Sequence, residues 1–132
     1  MLFRVNITKE AEQDVYDAID YLEAVLFNRR AADELAALAE NTIMSLAVYP
    51  RRYQLCNDIV LQAYGVRYVP VKKYLLLYTI DEELRQVNVL SFVYGRRQWQ
   101  SLILAKLEDE SYQIKEGGRY VNEDKEAYGG YL

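Results

Sequence analysis

The sequence predicts an α+β domain in which an N-terminal strand and an antiparallel helix hairpin pack on one face of a small, mainly antiparallel sheet. A short C-terminal helix and a tail follow. Two stretches before Pro50 repeat apolar residues at helical spacing, whereas the apolar runs after Pro50 are short and rich in Val, Tyr and Leu. The connections between neighbouring elements are short, which favours antiparallel pairs of helices and of strands.

The N-terminal part predicts one strand and two helices. Residues 2–7 alternate apolar and polar side chains, which is typical of a strand with one buried face. Residues 8–26 place apolar side chains on one face of a helix that starts with a threonine cap and acidic residues. Residues 27–30 break this pattern, and a second amphipathic helix covers residues 32–46 until Pro50 ends it.

After Pro50 the pattern changes to strands. Four apolar runs are predicted to be strands, at residues 59–63, 66–71, 74–80 and 86–94. Turns of hairpin length join the last three runs, so we expect these to pair antiparallel in chain order. The run 74–80 is apolar on both faces and is expected in the middle of the sheet. With the helix hairpin on one side, the other side of the sheet is predicted to be free for a partner.

Beyond the last strand the sequence predicts a short helix and an appendage. Trp99, Leu102 and Ile103 have the spacing of one helix face. From residue 104 onward there are 4 basic and 7 acidic residues, against 12 and 13 in the preceding part. We therefore expect a domain over residues 1–103 and an acidic C-terminal extension over residues 104–132.

The composition excludes several kinds of chemistry. The 132 residues include one cysteine and no histidine, so zinc sites, histidine-based triads and two-histidine iron centres are not expected. No P-loop or dinucleotide fingerprint is present, and we predict neither a metal nor an organic cofactor. No apolar run approaches the ~20 residues of a membrane-spanning helix. The first residues lack the pattern of a secretory signal, so we expect a cytoplasmic protein without a membrane partner.

Two guanidinium groups follow the last strand, where Gly95 precedes Arg96 and Arg97. Arginine binds phosphate or carboxylate through two parallel hydrogen bonds, and glycine allows close approach of the backbone. Arg67 is a second candidate anion contact across the sheet. In the alternative interpretation Arg96 and Arg97 are solvated or paired with helix acids, and Arg67 only discourages pairing at a sheet edge.

Several motifs follow one another in a fixed order. Tyr74-x-x-x-Tyr78-x-x-Asp81 precedes a valine-rich strand that ends in Gly95-Arg96-Arg97, and Trp99 follows. Upstream lie Leu46-x-x-Tyr49-Pro50 and Gly65-Val66-Arg67. Over about residues 2–103 this arrangement resembles the RelE/ParE superfamily of bacterial type II toxins, which includes plasmid-stabilisation proteins.

The resemblance implies a growth-inhibiting toxin that a cognate antitoxin neutralises by wrapping around it. Members are either RelE-like, ribosome-dependent mRNA endonucleases or ParE-like poisons of DNA gyrase. An arginine and a tyrosine of the nuclease members correspond here to Leu75 and Ile103. Two of their lysines fall near Val66 and Tyr68, and only Arg97 matches. We therefore expect a ParE-like toxin directed at gyrase or another protein; the alternatives are an mRNA endonuclease and a degenerate, non-toxic interaction module.

The predicted site residues form two groups, and no catalytic residue is assigned. The target- or phosphate-binding residues are Arg67, Arg96 and Arg97, and the partner-binding surface comprises Tyr74, Tyr78, Tyr94 and Trp99. The expected partners are the antitoxin and either DNA gyrase or ribosome-bound mRNA, with a homodimer as a further arrangement. A separate hypothesis has the acidic extension fold over Arg96 and Arg97 and mimic part of an antitoxin; the alternative is an extension without a regulatory role.

Overall fold

The computed structural model describes residues 2–117, and the side chains of residues 2–109. This part contains β1 (Arg4–Ile7), α1 (Lys9–Asp20), α2 (Arg29–Ser45), α3 (Ile59–Ala63), β2 (Arg67–Val71), β3 (Tyr74–Asp81), β4 (Gln86–Tyr94) and α4 (Gln100–Gly117). A π-helical turn (Tyr21–Val25) extends α1, and a 3-10 turn (Pro50–Arg52) follows α2. The strands form one sheet in the order β1-β4-β3-β2.

The predicted fold class is confirmed, and β3 lies inside the sheet as expected. β2, β3 and β4 pair antiparallel in chain order, while β1 lies parallel to β4 with Val5 opposite Val87. Lys72, in the β2–β3 turn, has a φ of 59°. The left-handed conformation at this position matches the twist of the two strands and closes a tight hairpin.

The helix hairpin covers one face of the sheet, as predicted. The side chain of Thr8 accepts a hydrogen bond from the Ala11 amide at 3.2 Å, and that of Asn28 accepts one from the Ala31 amide at 3.0 Å, so both helices start at a capping residue. The core under the hairpin contains Val5, Ala11, Ala18, Leu35, Ala39, Leu46, Val69, Val71, Leu76, Tyr78, Val87, Val89 and Phe92.

The opposite face of the sheet is also covered, so the prediction that it is free for a partner is wrong. α3 and α4 pack there and form a second core cluster with the sheet, made of Cys56, Leu61, Val66, Leu77, Leu90, Val93, Trp99, Ile103 and Leu107. A central strand that is apolar on both faces requires a cover on each side. The second cover comes from segments that the sequence predicted as a strand, as a short helix and as an appendage.

The predicted strand at residues 59–63 is the helix α3. The Asp58 carboxylate accepts hydrogen bonds from the amides of Val60 and Leu61 at 2.9 and 3.0 Å and caps the first turn. At the other end, Gly65 has a φ of 78°, and the Val66 amide donates to the Leu61 carbonyl at 3.0 Å. This is a Schellman motif, so local capping overrides the β propensity of Ile59 and Val60.

Replacing Gly65 by alanine is expected to lower the free energy of unfolding by about 1 kcal/mol. A β-carbon at Gly65 meets no atom within 4 Å, so the whole cost comes from the left-handed backbone.

Asp58→Ala is expected to lower the free energy of unfolding by about 1 kcal/mol, because the cap of α3 is lost. Urea denaturation measures both, with the exposed Asn57→Ala as the control. Equal stability of all variants would contradict the capping of α3.

The C-terminal helix is confirmed and is longer than predicted. Ile103 and Leu107 lie one turn apart in α4 and both pack in the second core cluster. The expected extension over residues 104–132 therefore begins inside α4, while residues 118–132, and with them most of the tail hypothesis, lie outside the described residues. Within the described part, no helix is long and apolar enough to cross a membrane.

Candidate functional site

Arg96 and Arg97 are exposed in the turn between β4 and α4. The Gly95 amide donates a hydrogen bond to the Lys73 carbonyl at 2.8 Å, and a β-carbon on Gly95 would lie 3.3 Å from that oxygen. The glycine therefore permits the close backbone approach that the sequence predicted. The Arg97 amide donates to the Tyr94 carbonyl at 3.0 Å, which orders the first part of this turn.

Three turns meet at this end of the molecule and form one surface, which we call the tip surface. It comprises residues 21–30 from the end of α1 to the start of α2, residues 72–74 at the β2–β3 turn, and residues 94–97 at the end of β4. The Lys72 ammonium lies 3.9 Å from the Glu34 carboxylate of α2, so the helix hairpin and the β2–β3 turn are in contact. The Gly95–Lys73 hydrogen bond joins the third turn to the second.

Tyr74 and Tyr94, two of the four predicted partner-binding residues, lie at the tip surface. Tyr74 stacks on Phe92 with ring centroids 4.9 Å apart, and it meets the Tyr94 ring edge to face at 5.6 Å. The Tyr94 side chain is exposed. Burial, and then the neighbouring Tyr94 and Tyr21, raise the pKa of Tyr74 above its usual value. The Tyr74 hydroxyl therefore stays protonated at neutral pH and can donate a hydrogen bond.

The other two predicted partner-binding residues are buried, so the structure removes them from that surface. Tyr78 is 0% exposed beneath the helix hairpin, and its hydroxyl donates to the Pro50 carbonyl at 2.6 Å. Burial raises the pKa of Tyr78 to about 12. Trp99 is 8% exposed and packs in the second core cluster. Strand alternation turns Tyr78 toward the hairpin, and α4 places Trp99 against the sheet.

Arg67 does not join Arg96 and Arg97. It begins β2, at the end of the strand remote from the tip surface. Its guanidinium donates to the Tyr53 carbonyl at 2.6 Å and lies 3.5 Å from the Arg51 carbonyl. Arg67 therefore holds the segment after α2 against the sheet, and the predicted cluster of three arginines is reduced to two.

The apolar residues of the tip surface were not predicted, because residues 27–30 have the pattern of a simple break between two helices. Phe27 is 86% exposed and has a φ of 53°. Tyr21, Val25 and Leu26 are each about half exposed. An aromatic residue inside a short helix connection is the signal that could have indicated this surface, since such connections are usually polar.

A pocket of about 660 Å³ opens in the tip surface between the helix hairpin and the β2–β3 turn. Leu22, Leu26 and Leu35 form its aliphatic part, and Tyr74 and Tyr94 form an aromatic wall. The two lysines of the β2–β3 turn stand beside it, and Glu34, which also lines the pocket, lies next to Lys72. The pocket is therefore apolar inside and cationic on one rim, which suits an apolar side chain carried by an acidic segment.

The tip surface is cationic in a chain whose net charge is −4. Glu23 lies within it and Glu34 of α2 borders it beside Lys72, whereas its cations are Arg29, Arg30, Lys72, Lys73, Arg96 and Arg97. Among the described residues, Lys73, Arg96 and Arg97 have no carboxylate within ion-pair distance. Within residues 2–109 these three charges are therefore unpaired.

Two other concave regions differ in charge. A groove of about 440 Å³ between α1 and α4 carries Arg97 together with Asp14 and Asp17. The Asp14 carboxylate already accepts hydrogen bonds from the Ser91 hydroxyl at 2.7 Å and the Phe92 amide at 3.0 Å. A larger groove of about 700 Å³ between the two hairpin helices and β1 is mainly apolar, with Arg4 and two glutamates in its lining.

Nothing in the described part of the chain indicates a metal centre or a reactive thiol. No group of acidic, cysteine or histidine side chains there could hold a metal ion. Burial, with a smaller effect of the nearby Asp58 carboxylate, raises the pKa of the Cys56 thiol to about 11. Cys56 is therefore a protonated core residue at neutral pH rather than a nucleophile.

Both the sequence and the fold of this chain are similar to those of known proteins. A family model described as ParE toxin of type II toxin-antitoxin system, parDE, matches residues 5–99. The chain is similar to a chromosomal ParDE toxin–antitoxin system from P. aeruginosa, with a TM-score of 0.57 and 14% identity over 70% of this chain and 95% of that chain. It is also similar to the toxin–antitoxin complex RelBE2 from Mycobacterium tuberculosis, with a TM-score of 0.50 and 22% identity over 71% and 99%.

No curated protein sequence matches the chain. At these identities the two solved structures establish a shared fold and no more. The family model spans most of the chain, from β1 to the buried Trp99. The chain therefore belongs to the family of ParE toxins of type II toxin–antitoxin systems.

Proposed function

We propose that this chain is a ParE-like toxin that arrests growth in the cytoplasm by binding a protein target, with DNA gyrase as the first candidate. The observation that carries the proposal is the position of Leu75 and Ile103. These residues stand where the nuclease relatives are expected to have an arginine and a tyrosine, and here they pack in the apolar cluster between the sheet and α4. A surface that binds a protein needs no proton carrier at either position.

The surroundings of Arg97 support the same proposal. Cleavage of RNA needs a group that activates the 2′-hydroxyl and cations that stabilise the developing charge on phosphorus. Arg96 and Arg97 supply cations, but both aspartates in the groove of Arg97 already accept hydrogen bonds: Asp14 Oδ2 from the Ser91 hydroxyl and the Phe92 amide, and Asp17 Oδ1 from the Gln13 side chain at 2.8 Å. Binding of a protein target requires only complementary charge and shape at the tip surface, and no catalytic base.

The antitoxin is the second partner in the proposal. The similar structures from P. aeruginosa and M. tuberculosis are both described as toxin–antitoxin systems or complexes. We assign the antitoxin contact to the exposed part of the predicted partner-binding surface, Tyr74 and Tyr94, together with the adjoining arginines. Neutralisation then follows from competition between antitoxin and target for one surface.

The double variant Arg96→Ala/Arg97→Ala is expected to abolish growth arrest after tightly controlled induction in a bacterium. Each lost hydrogen bond to a charged partner corresponds to roughly a tenfold or larger loss of affinity, so two lost guanidinium groups weaken target binding by about 100-fold or more. Colony counts measure the effect. The matched control is Arg51→Ala/Arg52→Ala, two adjacent exposed arginines at the opposite end of the molecule.

Full toxicity of the Arg96/Arg97 variant, at the parent's expression level, would remove these residues from the mechanism. Two further measurements separate the alternatives. Inhibition of gyrase supercoiling by the purified chain supports the ParE-like proposal, whereas defined cleavage sites in primer extension on ribosome-bound message support the mRNA endonuclease. Absence of arrest by the parent in its own host would indicate the degenerate interaction module.

The predicted regulatory role of the tail needs a truncation that respects the fold. Because Leu107 is 4% exposed in the second core cluster, removal of residues from 106 onward would also damage the core. A chain that ends at Gly117 retains all of α4. Stronger arrest by this shortened chain would support autoinhibition, and unchanged arrest and antitoxin affinity would dispose of it.

A further inference from the structure

The connection between α1 and α2 combines three unusual features. The backbone forms a π-helical turn, in which the Leu26 amide donates to the Tyr21 carbonyl at 3.0 Å. Phe27 then adopts a left-handed φ of 53°, which is unfavourable for a bulky residue. Its ring is nevertheless 86% exposed, so burial does not compensate for that conformation. π-Helical turns and strained residues concentrate at functional sites.

The exposed apolar side chains border the pocket of the tip surface rather than standing alone. Leu26 is 51% exposed and also lines the pocket, and Tyr21 does the same from the end of α1. Val25 and Phe27 extend the apolar area outward. A contiguous apolar area next to a concave pocket is a feature of protein-binding sites.

The cations of the tip surface decide which occupant fits. Lys73 lines the apolar pocket, and Arg96 and Arg97 follow Tyr94 of its wall in the chain. None of these three cations has an ion-pair partner among the described residues, in a chain that is acidic overall. A second copy of the chain would bring the same cations to this surface. An acidic segment complements these charges and places an apolar side chain in the pocket.

We propose that the tip surface binds a short acidic segment of a partner protein, with an aliphatic or aromatic side chain seated between Leu22, Leu26 and Tyr74 and with Phe27 closing over it. Carboxylates of the segment pair with Lys73, Arg96 and Arg97. The proposal rests on the proposed function only in requiring a protein partner, and it specifies the chemistry of that partner whether it is the antitoxin or the target.

A nucleic acid fits this surface less well. Single-stranded nucleic acids use open aromatic platforms on which bases stack, along a cationic groove that follows the backbone. Here three leucines share the pocket lining with the tyrosines, and Tyr74 is already stacked on Phe92.

The test is a selection of 12-residue peptides displayed on phage against the purified full chain. Peptides that carry aspartate or glutamate around a leucine, phenylalanine, tyrosine or tryptophan are expected to be enriched. A selected peptide, made as a fluorescent probe, then serves for titration.

Phe27→Gly is expected to weaken the binding of this peptide at least about tenfold, because a large apolar contact is removed. The same variant is expected to retain or raise the thermal midpoint, because glycine accepts the left-handed conformation.

Charge reversal provides the second arm. Lys73→Glu is expected to weaken peptide binding about fivefold or more in low salt, and the difference shrinks as salt screens the charges. Arg4→Glu, an equal change of charge at an exposed residue of β1, is the matched control and is expected to bind the peptide normally. Fluorescence of Trp99, the one tryptophan, checks that each variant is folded.

Selected peptides without an acidic preference, or binding that is indifferent to Phe27→Gly and Lys73→Glu, would overturn the proposal. Tighter binding of a uridylate oligonucleotide at the same residues would replace it with a nucleic-acid surface. Self-association abolished by Phe27→Gly would assign the surface to a second copy. Growth arrest is scored separately, so a non-toxic chain that still binds acidic peptides refutes the proposed function and leaves this inference intact.

Discussion

Replacing Leu77 by alanine is expected to lower the free energy of unfolding by about 3–5 kcal/mol. Leu77 is 0% exposed in the middle of the sheet, in the cluster that joins β3 to α3 and α4. Truncation removes buried surface and leaves a cavity between elements that are held by the rest of the chain. Urea denaturation measures the loss, and the emission of Trp99, which lies in the same cluster, is expected to shift to the red as α4 loosens.

The matched control is Leu84→Ala in the turn between β3 and β4. Leu84 is exposed, so we expect its truncation to change the free energy of unfolding by less than about 0.5 kcal/mol. A loss below about 1 kcal/mol for Leu77→Ala would contradict the packing of α3 and α4 on this face. It would restore the sequence-based expectation that the face is open to a partner.

Folding stability is expected to fall as the pH rises from about 10 to about 12, by up to about 3 kcal/mol for Tyr78. Burial raises the pKa of Tyr78 from 10.0 to about 12 in the folded chain. Above pH 10 the unfolded chain releases this proton while the folded chain retains it, so the stabilisation present below pH 10 is lost through this window. Burial raises the pKa of Cys56 from 9.0 to about 11, so this thiol adds a further loss of folding stability that begins near pH 9.

The variant Tyr78→Phe tests the assignment. At neutral pH it is expected to cost about 1–3 kcal/mol, because the Pro50 carbonyl loses its 2.6 Å hydrogen bond in a buried position. Between pH 10 and 12 its stability is expected to fall less steeply than that of the parent. Tyr16→Phe, at an exposed tyrosine, is the control for neutral stability. Parallel pH profiles for Tyr78→Phe and the parent would assign the alkaline loss to other groups.

The elements that sequence reasoning predicted correctly are those with long, regular patterns. The helix hairpin, the three antiparallel strands and the central position of β3 follow from periodicity and from short connections. The helix α3 was missed because it has only five residues, too few for periodicity to outweigh the β propensity of Ile59 and Val60. The capping residues Asp58 and Gly65, which do identify it, are local signals of another kind.

The candidate site was predictable only in part. The Gly95-Arg96-Arg97 turn is a local motif, and both arginines are exposed, which agrees with anion binding and with solvation alike. Tyr74 and Tyr78 are four residues apart in β3, so both side chains lie on the same face of the strand. The strand pattern therefore cannot show which of the two tyrosines is exposed. Tyr78 lies deep under the hairpin, and Tyr74 lies at its edge, where the helices end.

The sequence by itself determined the fold class, the order of the elements and the resemblance to the toxin superfamily, because these depend on periodicity, turn residues and motif order along the chain. Tertiary structure alone decided that α3 and α4 close the second face of the sheet. Tertiary structure also decided that Arg67 binds the Tyr53 carbonyl, and so holds the segment after α2 against the sheet, and that three distant turns meet at the tip surface. These features arise from contacts between residues far apart in sequence, and no local pattern records which side chains such contacts bury.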